Sequence, residues 1–172
     1  MADYGIIRTD SVPQNIRSAR FYVSTTLTAI ENGNLVQVDV LIDTANRELF
    51  KAIVPAAITS VNLGVVASPE LIYDESTHKT LGEFINIAGS NITVILPEKG
   101  TFLSVSDECI TPIDDLDDIV ALGNYLIPTA GTTKWTEVTS LGGTETLAGK
   151  IIARELYKVG KYLNAIEIVV GY

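Results

Sequence analysis

Apolar and polar positions along this chain alternate mostly with a period of two, in short runs broken by Gly, Pro, Asn or Asp. Such a pattern predicts strands half-buried in sheets rather than amphipathic helices. The run from Leu81 to Asp107 is the clearest case and reads as the centre of the fold. Ile92-Thr93-Val94-Ile95-Leu96 is β-branched or apolar throughout, Pro97-Glu98-Lys99-Gly100 interrupts it, and Thr101 to Ser106 alternates from Phe102 onward. This predicts a hairpin, with Pro97 presetting φ in the turn and Gly100 taking a positive φ.

On either side of it the same reading continues. Arg20 to Ile30 predicts a strand, and Asn32-Gly33 a tight turn. In the next strand Val36, Val38 and Val40 fall on a buried face and Gln37 and Asp39 on a wet one. A turn over Asp43 to Asn46 and a strand over Arg47 to Val54 follow, ended by Pro55, and then an apolar segment from Val61 to Ile72. Tyr73 to Lys79 and Thr111 to Ile119 read as polar loops, the second with acids suited to a helical turn. Tyr125 to Pro128 and Trp135 to Val138 are short strands. Lys150 to Tyr157 fits either a helix or a strand and is read as strand. Asn164 to Tyr172 closes the chain on a strand with Ile166, Ile168, Val170 and Tyr172 on one face.

Composition narrows the class. Ile, Val and Thr supply 54 of the 172 residues, the types that suit a pleated surface. The expectation is an all-β or mostly β fold: a single compact β-barrel or β-sandwich-like domain over residues 19 to 172, preceded by an extended N-terminal arm over residues 1 to 18. That arm lacks a sustained period. It either docks on its own domain, on a neighbouring copy or on another protein, or it frays.

Charge adds a directional element. The net charge is −9, and residues 61 to 120 hold eleven acids against two bases, whereas residues 1 to 60 hold six acids and five bases. Such a surface repels phosphate backbones, so no direct nucleic-acid partner is expected. No apolar run has the length of a membrane span and no leader pattern opens the chain, so the expectation is synthesis and folding in cytoplasm without membrane contact.

Candidate chemistry is sparse. His78 is the only histidine and sits in a polar loop with neither a nucleophile motif nor a carboxylate partner in pattern. Cys109 is the only cysteine, and its apolar neighbour Ile110 suggests a half-buried structural thiol. Asp114, Asp115, Asp117 and Asp118 do not follow the spacing of a calcium loop and read as a solvated acidic loop. The glycines match no phosphate-binding pattern. No enzyme activity, cofactor or metal is therefore expected.

Several stretches together resemble tailed-bacteriophage capsid decoration (cement) proteins, encoded near the major capsid protein. They are Tyr4 to Asp10, Ala29 to Val36, Leu81 to Gly89, Gly100 to Ser106, Gly123 to Leu126 and Gly149 to Glu155. The resemblance spans nearly the whole chain as a pattern of turns and strands. It implies a non-enzymatic structural virion protein that binds the capsid exterior and stabilises the shell, with the major capsid protein as partner. It also implies homo-oligomers, trimers by family expectation. Ile6, Ile7, Arg8, Arg17 and Arg20 are the candidate contacts with capsid or neighbouring copy, because the basic arm contrasts with the acidic middle. A head-tail or tail component, and a β-sandwich module for a carbohydrate or other ligand, are the alternatives.

Overall fold

A closed barrel of five strands backs onto an open seven-stranded sheet in the computed structural model, which describes residues 4–9, 15–43, 46–69, 84–111, 120–157 and 161–172. The strands are β1 (Ile7–Thr9), β2 (Ile16–Val23), β3 (Thr26–Leu27), β4 (Leu35–Asp43), β5 (Asn46–Ile53), β6 (Leu63–Val66) and β7 (Ile92–Ile95). They continue with β8 (Phe102–Ser106), β9 (Ile110–Thr111), β10 (Tyr125–Pro128), β11 (Trp135–Val138), β12 (Ala148–Leu156) and β13 (Tyr162–Val170). The expected all-β class holds. The polar loops around His78 and Asp114 to Asp118, and the Leu81-Gly82-Glu83 start of the central run, lie outside the described residues.

The barrel closes in the order β2, β5, β4, β6, β7 and back to β2, with β3 extending it as a short hairpin partner of β2. β2 and β5 run parallel and the other barrel pairs are antiparallel. Closure removes the free edges that an open sheet would present. The second sheet runs β1, β8, β13, β12, β10, β11, β9.

The two layers share a wall. Strands β4 and β6 are apolar on both faces at their start, so Val36 and Val66 point into the barrel with Phe21, Ile30, Ile92 and Val94. Their neighbours Leu35, Leu63 and Val65 point outward and pack against Leu103, Val105, Trp135, Ile166 and Ile168 of the second sheet. A strand that must bury both faces reads as a continuous apolar run, which Leu63-Gly64-Val65-Val66 is. Gly64 is required there, because a Cβ at that position would stand 2.8 Å from the Ile95 carbonyl oxygen.

Three local expectations are corrected. First, the hairpin across Pro97 to Gly100 does not form: β7 pairs with β2 and β6, while β8 pairs with β1 and β13. The turn is a crossover between layers. Gly100 does take φ +88°, with its N–H donating to the Ile168 carbonyl at 2.8 Å. Second, Val40 does not share the buried face of Val36 and Val38; it is 63 % exposed. A register shift between Val38 and Leu41 turns it outward, since one extra residue reverses the side-chain alternation. Third, the first barrel strand begins at Ile16 and turns back at Ser24, where φ is +57°, rather than running from Arg20 to Ile30.

Candidate interaction surface

The N-terminal stretch supplies one strand to each layer. In β1, Ile7 pairs with Val105 and packs half-buried against the shared core, and the preceding Ile6 is buried, its N–H donating to Ser106 Oγ at 2.9 Å. Gly5 N–H donates to Glu31 Oε2 at 2.9 Å. The described parts of the expected arm, residues 4–9 and 15–18, are thus bonded to their own domain, the second as the start of β2 paired with β7. Ile6 is enclosed by its own chain.

The three candidate arginines do not converge. Arg8 sits on the edge strand of the second sheet and pairs with Glu155 at 2.7 Å, both side chains about half exposed. Pairs of that kind contribute ~1 kcal/mol or less. Arg17 and Arg20 both lie on β2, but at odd spacing, so the pleat sends them to opposite faces. Arg17 shares the side of Ala19 and Phe21 and lies over the Phe50 ring, 5.9 Å from its centroid, with Nη1 donating to the Ile16 carbonyl at 3.0 Å. Arg20 points outward, and its Nε donates to Asn91 Oδ1 at 2.9 Å.

Next to Arg20, at the same level of the adjacent parallel strand, stands Lys51. Its Nζ lies 5.4 Å from the centroid of the Tyr22 ring. Among the described residues no ion pair involves Arg17, Arg20 or Lys51. Two like charges placed directly across a strand pair are unfavourable, and no carboxylate among the described residues pairs with either. Lys51 and Tyr22 were missed as site residues by sequence reasoning. The alternation around Lys51 was visible, but nothing local says that β5 lies parallel to β2.

A second polar group lies at the end of the other sheet. Asp107 accepts from Arg154 Nη2 and from Asn164 Nδ2, each at 2.6 Å, and the Arg154 guanidinium lies over Tyr162 at 4.5 Å. Lys161 pairs with Glu108 at 3.3 Å and donates to the Tyr4 carbonyl. Burial pushes the Asp107 carboxyl above the usual range, and the Asn164 hydrogen bond and the Arg154 charge draw it back only in part. These contacts tie β8, β12 and β13 together with the N-terminal residues, which is a structural role.

Cys109 is buried with its Sγ 3.3 Å from the Asn32 carbonyl, and removal from water pushes its thiol up to about 12. A thiol held protonated is a poor nucleophile. Among the described residues no group of three or more His, Cys, Asp or Glu side chains is placed to hold a metal, and no helix is long and apolar enough to cross a membrane. Comparison with protein-family models, characterised proteins and solved structures returns no match to this chain.

Proposed function

We propose that this chain is a structural protein of a bacteriophage virion that binds the outer surface of the capsid and stabilises the shell, acting as a decoration protein. The reading starts from the pattern of turns and strands that resembles such proteins. One structural observation carries it further: residues 4–9 give β1 to the open sheet and residues 15–23 give β2 to the barrel, with Arg8 on the first and Arg17 and Arg20 on the second. A contact made along this stretch is braced by both layers and by their shared core. Shell stabilisation then follows by linkage, since a protein that binds the assembled shell and not its dissociated subunits shifts assembly in proportion to the logarithm of its occupancy ratio.

The partner in this reading is the major capsid protein, with further contacts between copies of the chain, in trimers by family expectation. The experiment is co-sedimentation of the purified protein with undecorated shells assembled from that capsid protein, followed by heating of the particles. Saturable binding and a higher disruption temperature are expected. No binding would remove the reading. Deleting residues 1 to 18 is a poor test of the contact, because Ile6 is buried and Arg17 lies inside a barrel strand. Charge reversal of Arg8, Arg17 and Arg20 to Glu is the better one, and unaltered binding by that variant would move the contact elsewhere on the molecule.

A further inference from the structure

The outer face of the barrel across β3, β2, β5 and β4 carries two adjacent rows. One is cationic: Arg20 and Lys51, cross-strand neighbours. The other, two residues further along, runs Leu27, Tyr22, Ile53, Gln37, each opposite the next in register. Leu27 is 37 % exposed and faces the turn that holds Gly89, where an added Cβ would lie 3.8 Å from its Cδ1, and Ile87 in that turn is 69 % exposed. Apolar side chains left in water thus flank a cation pair that no carboxylate among the described residues neutralises.

We infer that this face is a docking site for an acidic segment of a protein partner, one that alternates carboxylates with apolar side chains. The charge argument is specific. The chain as a whole is strongly acidic, yet it places two cations side by side with no carboxylate on either among the described residues. Asn91 fixes Arg20 through Nε alone, and the two terminal amino groups of the guanidinium form no hydrogen bond among the described residues, which leaves the fork that grips a carboxylate in two places. Tyr22 orients Lys51 from below. An extended partner repeats its side chains on one face about every 6.6–7 Å, which is also the spacing of the two rows along β2. Tyr and Arg together at a half-buried surface site are the residues that dominate protein interfaces. A nucleic acid fits less well, because a net charge of −9 opposes a continuous polyanion while a local acidic patch meets only the cations in front of it.

The site deepens the reading as a capsid-binding protein by naming the chemistry of the contact, and rests on that reading only for the partner's identity. Two-dimensional NMR of the full chain titrated with the peptide acetyl-Leu-Glu-Phe-Glu-Leu-Glu-amide tests it. Shifts should centre on Arg20, Tyr22, Leu27 and Lys51, and the same peptide with Gln for Glu should bind about tenfold more weakly or worse. The double variant Arg20→Gln/Lys51→Gln should lose binding to a similar degree while keeping a native spectrum. Absence of binding, equal binding of the Gln peptide, or shifts centred elsewhere overturns the inference. So does tighter binding of a single-stranded oligothymidylate through the same residues, which would assign the face to nucleic acid. The shells separate the two readings. Peptide binding without shell binding leaves the face and removes the capsid assignment. Shell binding that the double variant retains in full overturns the face and leaves the capsid assignment.

Discussion

Trp135 Nε1 donates to the carbonyl oxygen of Gly33 at 3.0 Å, so a buried indole of the second sheet is bonded to the turn that leads into the barrel wall. The same turn receives Cys109 Sγ on the Asn32 carbonyl, and its Gly33 N–H donates to Val66 at 2.7 Å. The junction between layers is therefore held by directed bonds as well as by apolar contact. Trp135→Phe keeps much of the ring burial and orphans the Gly33 carbonyl, which should cost about 1–3 kcal/mol. Urea unfolding checks this, with a lower midpoint at unchanged m-value as the expected result.

Asn32 is fully buried in a polar knot: its amide donates to Ser68 O at 2.9 Å and accepts from Ser68 N at 3.1 Å and from Asn86 Nδ2 at 3.1 Å. Asn32→Leu is close in volume but leaves both backbone groups of Ser68 without these partners. A loss of at least about 2 kcal/mol is expected from the desolvated groups. Equilibrium denaturation would show it, and a loss under 0.5 kcal/mol, roughly the scale of an ordinary surface change, would mean that water replaces the amide.

For Cys109 the sign of the pH dependence follows from the direction of the shift. Burial raises the folded thiol to about 12 from its ordinary value of 9.0, so the folded state holds its proton more tightly than the unfolded chain does. The stabilisation is complete below the unfolded value and is lost as pH climbs from about 9 toward 12. Cys109→Ala should flatten this alkaline limb in a series of unfolding curves. In the parent protein an aromatic disulfide reagent at pH 8 should label Cys109 only as fast as the chain unfolds. Rapid labelling of the folded protein would contradict its burial.

The cation pair gives a prediction in the opposite direction for stability and for binding. Lys51→Glu places a carboxylate opposite Arg20 and exchanges a repulsive cross-strand pair for an attractive one, a change of about 0.2–1 kcal/mol. It also gives up the contact with Tyr22, ~0.5 kcal/mol at an exposed site. Thermal unfolding should therefore show a Tm equal to or slightly above that of the parent, while acidic-peptide binding is lost. A clear fall in Tm would show that Lys51 serves the fold.

Some of these features were readable before folding. The strands read over Leu35 to Val40, Tyr125 to Pro128, Trp135 to Val138 and Asn164 to Tyr172 from alternation and bounding turns fall on β4, β10, β11 and β13, the last of which stops at Val170. The strand reading of Lys150 to Tyr157 also holds as far as Leu156, where β12 ends. The crossover at Pro97 to Gly100 was invisible, because a proline-glycine turn between two apolar runs has the same local signature whether its strands pair with each other or part. The turn at Asn32-Gly33 was legible as a turn, but its burial was not, since Ser68, Asn86, Cys109 and Trp135 reach it from distant parts of the chain.

Among the candidate contacts, Arg20 gained a neighbour and Ile6 lost its exposure. Neither outcome depends on residues near them in sequence: Lys51 is brought alongside Arg20 by the parallel pairing of β2 with β5, and Ile6 is enclosed by the pairing of β1 with β8. By itself the sequence determined that the chain is β-rich, where many strands lie, and that its bases are concentrated away from its acidic middle. Side-chain alternation and turn chemistry are local properties with a period of two, so they survive in any topology. Tertiary structure alone decided which strands pair, that five of them close into a barrel sharing a wall with a second sheet, and which cations stand together. Those depend on burying both faces of β4 and β6 at once, a condition that only contacts between distant segments can meet.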